Sequence, residues 1–284
     1  MRILVIGASG MLGTDLQKEW TQDEIIPAGS RDADIRDAEQ VRALVSRNRP
    51  DWIVLAAAYT DVDGSERNPE LAFAVNGQGT ENVARAAKEF GARLFYISTD
   101  YLYDGTSTRP YEPTDAIAPL NVYGQSKAAG EKAVHMYAQD WCIARTSWLF
   151  GAAGASFPEK ILRAAETRPE LTVVADQVGS PTFTRDLAGA MRDLVRGEAR
   201  GVLNVTNAGS CSWFEFAQEV LRQAGRGAVR VSPITTAQAA RLAKRPAYSV
   251  LSPASLHAQH ITLRSWQDAT KAYLQDLRAC GKLV

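Results

Sequence analysis

Two residues with complementary proton chemistry stand four positions apart in the segment NVYGQSKAAGE (residues 121–131): Tyr123 and Lys127. On a helix this spacing puts both side chains on one face, one turn apart. Ordinary pKa values are about 10 for tyrosine and about 10.4 for lysine, and a nearby ammonium lowers the pKa of a phenol. Such a phenol can give a proton to a carbonyl oxygen while hydride arrives at the carbon. Tyr-x-x-x-Lys is also a common surface pair, so its meaning depends on what the rest of the chain binds.

A glycine-rich turn near the start of the chain is a candidate site for the hydride donor. Gly7, Gly10 and Gly13 follow the apolar run RILVI (residues 2–6) and open a segment with apolar residues at helical spacing. Glycines between a buried strand and a helix let the backbone approach a pyrophosphate at the positive end of the helix. A glycine-rich turn without a ligand is the alternative. The strand and the helix on either side favour dinucleotide binding.

The end of the second apolar run indicates which dinucleotide is bound. In AGSRDADIRD (residues 28–37), Ser30 and Arg31 come first after the strand. An acidic residue at this point usually holds the adenosine ribose hydroxyls, whereas an arginine accommodates a 2'-phosphate. The order favours NADP over NAD, with an ordinary surface arginine as the alternative. Asp34 and Ile35 are predicted to flank the adenine.

These residues need a fold that brings the ends of several strands together. Apolar runs such as DWIVLAAA and ARLFYIS alternate with helical patterns such as AEQVRALVSRN. Alternating strands and helices predict the α/β class, with a doubly wound parallel Rossmann sheet over residues 1–150. Beyond that point, proline and glycine separate shorter elements. We therefore expect a smaller substrate-binding lobe over residues 151–284, with a helix near 183–196 that packs back on the sheet.

The overall composition excludes several classes of protein. The 284 residues carry 32 Lys and Arg against 32 Asp and Glu, which does not suggest a nucleic-acid binder. The three cysteines are scattered and form neither a disulfide framework nor a metal-ligand cluster. The first residues lack the pattern of a signal peptide, and no apolar run approaches the roughly 18 residues that a membrane span needs. We expect a soluble cytoplasmic protein.

Sequence motifs along nearly the whole chain carry a family resemblance. They include GASGMLG, AAAYTDVDGSE, AFAVNGQGTENVA, STDYLYDG, PLNVYGQSKAAGE, RTSWLFG, DQVGSPT and RPAYSVL. With these motifs the chain resembles the extended short-chain dehydrogenase/reductase family, most closely its dTDP-4-dehydrorhamnose reductase branch. The resemblance implies NADPH as cofactor, with NADH as an alternative, and a dTDP-sugar nucleotide as substrate. The implied reaction reduces the C4 keto group of dTDP-4-dehydro-L-rhamnose to give dTDP-L-rhamnose.

The resemblance also implies roles for the residues around the tyrosine. Tyr123 is the expected proton donor, Lys127 orients the cofactor, and Thr99 hydrogen-bonds the substrate oxygen. Asp100 follows Thr99, and a buried structural carboxylate is its alternative role. Related sugar-nucleotide 4,6-dehydratases have Asp and then Glu after this threonine, whereas Tyr101 occupies the Glu position here. A tyrosine is a poor base at neutral pH, so the triplet favours hydride transfer without loss of water.

Further binding residues follow from the same motifs. The predicted cofactor contacts are Gly7, Ser9, Gly10, Met11, Leu12, Gly13, Ser30, Arg31, Asp34, Ile35, Ala56, Ala57, Ala58, Tyr59, Asn76, Tyr123 and Lys127. The predicted substrate contacts are Thr60, Val62, Tyr101, Trp148, Gln177, Ser180, Pro181 and Arg245. For Trp148, stacking on the hexose and a place in the core are equally good interpretations. The aromatic residues of SWFEFAQEVL are assigned to packing of an amphipathic helix.

Three questions of assembly and function stay open at this point. Some relatives pair through an acidic, magnesium-linked helix interface, and Asp15 has the position to take part. Arg185 falls near the expected second carboxylate, so we predict no metal, while a homodimer is one assembly that the resemblance allows. Two alternatives to the main functional prediction remain: a reductase of another 4-keto-6-deoxy sugar nucleotide, and a non-catalytic NADP-binding regulatory subunit.

Overall fold

The structure, a computed structural model, describes residues 1–283. Its strands are β1 (Arg2–Ile6), β2 (Glu24–Ala28), β3 (Trp52–Leu55), β4 (Arg93–Thr99), β5 (Trp141–Thr146), β6 (Leu149–Phe150), β7 (Glu170–Val174), β8 (Val178–Gly179), β9 (Thr182–Phe183), β10 (Gly201–Asn204), β11 (Cys211–Ser212) and β12 (Arg230–Ile234). Its α-helices are α1 (Met11–Glu19), α2 (Ala38–Asn48), α3 (Val62–Arg67), α4 (Pro69–Phe73), α5 (Gly79–Phe90), α6 (Val122–Tyr137), α7 (Phe157–Ala164), α8 (Thr184–Arg196), α9 (Trp213–Gln223), α10 (Thr236–Ala239), α11 (Ala254–His257) and α12 (Trp266–Ala279).

A six-stranded parallel sheet lies at the centre, with its strands in the order β2, β1, β3, β4, β5, β10. Its central strands are continuous apolar runs because helices cover both faces. One face packs against α1 and α8 through residues such as Leu16 and Met191. The other face packs against α2, α5 and α6 through residues such as Val41, Val83 and Val134. The predicted doubly wound parallel sheet is confirmed.

The register of the sheet brings the carboxyl ends of its strands to one edge. Ile6 at the end of β1 lies beside Ala28 of β2 and Leu55 of β3. Thr99 at the end of β4 lies beside Thr146 of β5. The segments that follow these strands therefore meet at the same edge, which is where open parallel sheets bind ligands.

The second half of the chain builds an additional aromatic core. Phe150, Phe183, Phe216 and Tyr273 pack together at its centre. Three short strand pairs surround this core: β6 with β9, β7 with β12, and β8 with β11. Helix α8 and strand β10, however, belong to the layers of the large sheet. The division at residue 150 stays a prediction.

Two properties of the described chain concern membranes and metals. No helix within residues 1–283 combines the length and apolar character needed to cross a membrane. In the same range, no group of three or more His, Cys, Asp and Glu side chains is arranged to hold a metal ion. Asp15 accepts a hydrogen bond from Thr184 Oγ1 (2.5 Å), and Arg185 forms ion pairs with Glu19 and Asp276.

Candidate active site

A cavity of about 450 Å³ opens at the carboxyl edge of the sheet. It brings together many residues that the sequence predicts for the site: Gly10, Met11, Leu12, Gly13, Ala56, Ala58, Thr60, Val62, Thr99, Asp100, Tyr101, Tyr123, Lys127 and Trp148. These residues come from the ends of β1, β3, β4 and β5 and from the first turns of α1 and α6. The cavity thus joins the glycine-rich turn to the Tyr123–Lys127 pair.

The glycine-rich turn has the geometry of an anion-binding helix start. Gly7 has a φ of +94°, and a Cβ there would lie 2.5 Å from the amide nitrogen of Ala57. A Cβ at Gly13 would overlap the carbonyl oxygen of Gly7. The first bond of α1 joins the amide of Thr14 to the carbonyl of Gly10 (2.9 Å). The amides just before Thr14 lie at the positive end of the helix, where they are placed to bind phosphate oxygens.

A second cavity beside β2 continues from the glycine-rich turn. It is lined by the predicted residues Ser9, Ser30 and Arg31, together with Ala8, Thr14, Gln17, Pro27, Gly29 and Asp32. Arg31 is exposed in this lining, so its guanidinium is accessible to a ligand. The two adenine candidates lie outside this lining. Asp34 is paired with Arg36, and Ile35 is buried against Gly79.

Asn76 supports the segment that follows β3. Its Oδ1 accepts the amide of Tyr59 (2.8 Å), and its Nδ2 donates to the Tyr59 carbonyl (3.0 Å) and to Ser126 Oγ (2.9 Å). Asn76 is buried inside a π-helical stretch, Ala74–Gln78, that joins α4 to α5. Three predicted cofactor contacts, Asn76, Tyr59 and Ala57, lie outside the lining of the cavity. The amide of Ala57 donates to the carbonyl of Ile6. Asn76 therefore holds the neighbouring backbone that does line the cavity.

Helix α6 places Tyr123 and Lys127 on one face, as their spacing predicts. The helix begins at Val122, and Asn121 caps it by accepting the amide of Gly124 (2.8 Å). Lys127 is 2% exposed, and its Nζ donates to the carbonyl of Ile97 (2.6 Å). Burial lowers the pKa of Lys127 to about 7, and the negative charge of Glu131 opposes this effect.

The pKa of Tyr123 moves in the direction opposite to the one that the sequence predicts. Burial raises it to about 12, a contact with Thr99 lowers it, and the charge of Asp100 raises it further. The Nζ of Lys127 donates to the carbonyl of Ile97, and burial is the largest effect on the pKa of the phenol. Tyr123 consequently keeps its proton at neutral pH.

The triplet after β4 forms a short hydrogen-bonded turn beside Tyr123. Thr99 Oγ1 donates to Asp100 Oδ1 (3.1 Å) and accepts the amide of Tyr101 (3.2 Å). Burial raises the pKa of Asp100 to about 7, while hydrogen bonds from Ser249 and Thr99 act to lower it. The ring of Tyr101 meets that of Tyr123 edge-on at 5.8 Å, and burial raises the pKa of Tyr101 as well.

Trp148 forms one wall of the cavity together with a second tryptophan. Its ring stacks on Trp213 with centroids 3.4 Å apart and an interplanar angle of 8°. A Cβ at Gly179 would lie 2.5 Å from the same indole, so the backbone of β8 also packs closely against it. Trp213 lines the cavity, although the sequence assigns its helix to packing alone. Stacking of Trp148 on a hexose stays a prediction.

Comparison with known proteins gives this arrangement its family context. The sequence profile of the family described as RmlD substrate binding domain matches residues 1–279. A dTDP-4-dehydrorhamnose reductase of Burkholderia thailandensis is 38% identical over 295 residues, which covers 98% of this chain and 99% of that protein. The chain belongs to this RmlD family. The family resemblance predicted from the sequence is confirmed.

Two further relatives are similar over nearly their full length. A dTDP-4-keto-6-deoxy-D-glucose reductase of Streptomyces niveus is 39% identical over 277 residues, or 96% of each chain. A crystal structure of dTDP-4-dehydrorhamnose reductase from Bacillus anthracis in complex with NADP has a TM-score of 0.94 at 38% identity. It covers 97% of this chain and 99% of that one.

The remaining predicted substrate residues of this RmlD-family chain lie outside the lining of the cavity. Gln177 donates to Thr236 Oγ1 (2.9 Å). Ser180 offers its carbonyl to Ser147 Oγ (2.5 Å), and Pro181 is buried next to it. Arg245 is paired with Asp63 at 3.2 Å and contacts Tyr101. Their roles in substrate binding stay predictions.

Several cavity residues were not predicted from the sequence: Ile97, Ser98, Thr146, Ser147, Leu149, Ala155 and Trp213. Most of them stand at or just beyond the ends of β4 and β5. Because open parallel sheets bind ligands at the carboxyl ends of their strands, this position could have identified them from the sequence. Ser98 Oγ and Thr146 Oγ1 are buried without a hydrogen-bond partner within residues 1–283. Buried hydroxyls are rarely left unpaired, so a bound ligand is a natural partner for them.

Proposed function

We propose that this protein is an NADPH-dependent reductase of a dTDP-4-keto-6-deoxy sugar. The substrate we favour is dTDP-4-dehydro-L-rhamnose, which would be reduced at C4 to dTDP-L-rhamnose. One observation carries the proposal: the half-buried phenol of Tyr123 lines the same cavity as the amide-rich start of α1. Two relatives of similar identity bear reductase names, and one solved neighbour contains NADP.

The residues along the carboxyl edge suit a dinucleotide phosphate. The Gly7–Gly13 turn leaves room for a pyrophosphate against the first amides of α1. Arg31 and Ser30 offer a cation and a hydroxyl where a 2'-phosphate would lie. When bound, NADPH would supply the hydride. Lys127 and Tyr123 would flank its nicotinamide ribose in the cavity, and Asn76 would keep the segment after β3 in place.

Tyr123 is the proton donor in this proposal. Its raised pKa keeps the phenol protonated at neutral pH, so the proton is ready when negative charge develops on the carbonyl oxygen. Thr99 lies beside the phenol and helps to orient it. Lys127 supplies a buried amino group one turn further along α6, where it can hydrogen-bond the ribose hydroxyls. These roles account for the chemistry with side chains that share one cavity.

The residue after Asp100 argues against a dehydratase. Loss of water from a hexose needs a base near C5, and Tyr101 occupies the position at which the dehydratases have glutamate. Burial raises the pKa of Tyr101 above its ordinary value, so it holds its proton even more firmly than a free tyrosine. The triplet supports simple reduction of a ketone that already exists.

Three points stay predictions beside this proposal: the sugar, the homodimer and the cytoplasmic location. The two relatives named for different 4-keto sugars are 38% and 39% identical to this chain, so both sugars belong in the assay. A non-catalytic NADP-binding subunit is the rival from another class. Thr99, Tyr123 and Lys127 all line the cavity, which supports an enzyme instead.

Replacement of Tyr123 by phenylalanine tests the proposal. Tyr123→Phe is expected to lower kcat by about 10²–10⁴-fold, because proton transfer by a positioned group contributes that much. NADPH affinity, measured by fluorescence titration, is expected to change little. Tyr137→Phe is the matched control, since Tyr137 ends the same helix outside the cavity. A Tyr123→Phe enzyme that keeps most of its kcat would remove the proton-donor role.

A further inference from the structure

Ser249 connects the second half of the chain to the reacting end of β4. It lies in the segment between α10 and α11, and its Oγ donates to Asp100 Oδ2 at 2.5 Å. Both residues are 2% exposed. The backbone of Ser249 is also fixed, because its amide donates to the carbonyl of Val178 (2.8 Å). A buried hydroxyl is thus held against a carboxyl group that lines the cavity.

The hydroxyl of Thr99 links that carboxyl group to Tyr123. It has one proton, which it donates to Asp100 Oδ1 (3.1 Å). One of its lone pairs accepts the amide of Tyr101 (3.2 Å), and its remaining side faces Tyr123. A hydroxyl both donates and accepts. Thr99 can therefore receive a proton from Asp100 on one side while it passes its own proton to Tyr123 on the other.

The direction of the hydrogen bonds from Asp100 through Thr99 to Tyr123 depends on whether Asp100 carries a proton. When Asp100 is ionised, the hydroxyl of Thr99 donates to the carboxylate across the 3.1 Å contact between Oγ1 and Oδ1. When Asp100 is protonated, its O–H can donate to Thr99, and the hydrogen of Thr99 is free to turn towards Tyr123. Only the protonated form holds a reserve proton for the phenol.

On the basis of the function proposed above, we propose that Asp100 and Thr99 form a proton relay that restores Tyr123, and that Ser249 is the positioning residue that sets the acidity of Asp100. During reduction the O–H bond of Tyr123 breaks and an O–H bond to the substrate oxygen forms. The proton of Thr99 then passes to the phenolate, and the carboxyl proton of Asp100 passes to Thr99. The Asp100 carboxylate, held by Ser249, regains a proton from water through the cavity after the product leaves.

The surroundings of Asp100 suit this role. The charge of Asp100 acts on two neighbouring phenols, those of Tyr101 and Tyr123, and Arg245 contacts Tyr101. Burial raises the pKa of Asp100 to about 7, so both protonation states are populated near neutral pH. The hydrogen bond from Ser249 opposes that rise because it stabilises the carboxylate.

A competing route would return the proton through Lys127. The pKa of Lys127 also lies at about 7, and its amino group lines the same cavity. The two routes differ in their dependence on Ser249, whose hydroxyl bonds Asp100 and not Lys127. The pH dependence of variants at Ser249 and Asp100 therefore separates them.

The first test is the pH profile of kcat for NADPH oxidation with the 4-keto sugar. Wild-type kcat is expected to fall as pH rises through the ionisation of Asp100. Ser249→Ala is expected to move this fall to higher pH by about one unit, because a hydrogen bond to a charged group is lost. Ser249→Thr keeps the hydroxyl and is expected to restore the wild-type profile. Ser252→Ala is the control, since Ser252 lies in the same segment and its Oγ accepts the amide of Ala254 and has no bond to Asp100.

Asp100→Asn provides the second variant. The amide cannot release a carboxyl proton, so we expect a lower kcat without the fall near neutral pH. Ser249→Ala added to this background is expected to leave the pH profile unchanged. A merely structural role for Ser249 would alter KM or thermal stability in both backgrounds and would leave the fall of the Ser249→Ala single variant at the wild-type pH. A fall that stays in place in both Ser249→Ala and Asp100→Asn would overturn the relay and identify Lys127 as the titrating group.

A direct titration needs no turnover. Aspartate labelled with ¹³C at Cγ reports the ionisation of Asp100, and its signal is assigned by its loss in Asp100→Asn. The midpoint is expected to rise by about one pH unit in Ser249→Ala, and an unmoved midpoint would remove the role of Ser249. If the wild-type protein oxidised no NADPH with either sugar, the proposed function would fail, and the relay with it. Turnover with an unmoved pH profile, in contrast, would refute the relay and leave the proposed function in place.

Discussion

Replacement of Lys127 by methionine should make the protein more stable and less active at neutral pH. Lys127 is 2% exposed, and its amino group donates to the carbonyl of Ile97. Methionine is of similar length and needs no hydration, so it removes the cost of burying an amino group. A lysine kept in this place despite that cost indicates a role in ligand binding.

The magnitude follows from the pKa of Lys127. A change from 10.5 in the unfolded chain to about 7 in the folded chain corresponds to about 5 kcal/mol of lost stability. Loss of the bond to Ile97 leaves a buried carbonyl unpaired, which costs about 1–3 kcal/mol. At pH 7, Lys127→Met should therefore be more stable than the wild type by about 2–4 kcal/mol.

The sign of the pH dependence is fixed by the lowered pKa. The folded protein disfavours the charged form, so the wild type carries the full cost below about pH 7. As pH rises from 7 towards 10.5, the unfolded chain also loses its proton, and the cost disappears. The stability difference between the two proteins should shrink by about 1.4 kcal/mol per pH unit across this window.

Urea unfolding without ligand, at several pH values between 7 and 10, measures this difference. Lys132→Met is the matched control, because Lys132 lies exposed on the same helix. The control should show no pH-dependent difference from the wild type. A gap between Lys127→Met and the wild type that does not change with pH would refute the reasoning, since Lys127 would then ionise alike in both states.

Three further predictions concern the cofactor and the reaction class. Arg31→Ala should weaken NADPH binding about tenfold or more in a titration, while NADH affinity changes little, because a charge-assisted contact contributes roughly 1.5–3 kcal/mol. Equal losses of affinity for both cofactors would exclude a 2'-phosphate contact. Gly13→Ala should abolish cofactor binding in the same titration because its Cβ would overlap the Gly7 carbonyl. Its control is Gly189→Ala in α8, where the added Cβ meets open space; this change should raise the free energy of unfolding by up to about 1 kcal/mol. Tyr101→Glu should gain dehydratase activity on dTDP-glucose with NAD, detected by product NMR, if the rest of that site is complete; strong dehydration by the wild type would contradict the reductase proposal.

The parts of the fold and site that were predictable from the sequence are encoded by short-range spacing. The glycine-rich turn, the strand before it and the helix after it lie within residues 2–19, and their order alone predicts a phosphate-binding turn. Tyr123 and Lys127 share a face because they are one helical turn apart. The parallel sheet then brings both to one edge. No long-range information is needed for these steps.

The parts that the sequence did not reveal depend on tertiary packing. Trp213 reaches the cavity where its ring stacks on Trp148, and Ser249 reaches Asp100 from 149 positions along the chain. Neither contact leaves a local pattern. The net pKa shift of Tyr123 was predicted with the wrong direction because spacing does not reveal burial. Burial dominates both pKa values, and the lysine donates to Ile97 instead.

Identification of the reaction product tests the proposed activity most directly. The wild-type protein is incubated with NADPH and dTDP-4-dehydro-L-rhamnose, and in parallel with dTDP-4-keto-6-deoxy-D-glucose, and the sugar nucleotides are analysed by NMR. We predict that NADPH is consumed in equal amount to the rhamnose precursor and that dTDP-L-rhamnose is formed. Tyr123→Phe, run alongside, should form almost none. Preferential reduction of dTDP-4-keto-6-deoxy-D-glucose would identify that sugar as the substrate. A wild-type protein that binds NADPH but reduces neither sugar would contradict the assignment as a reductase.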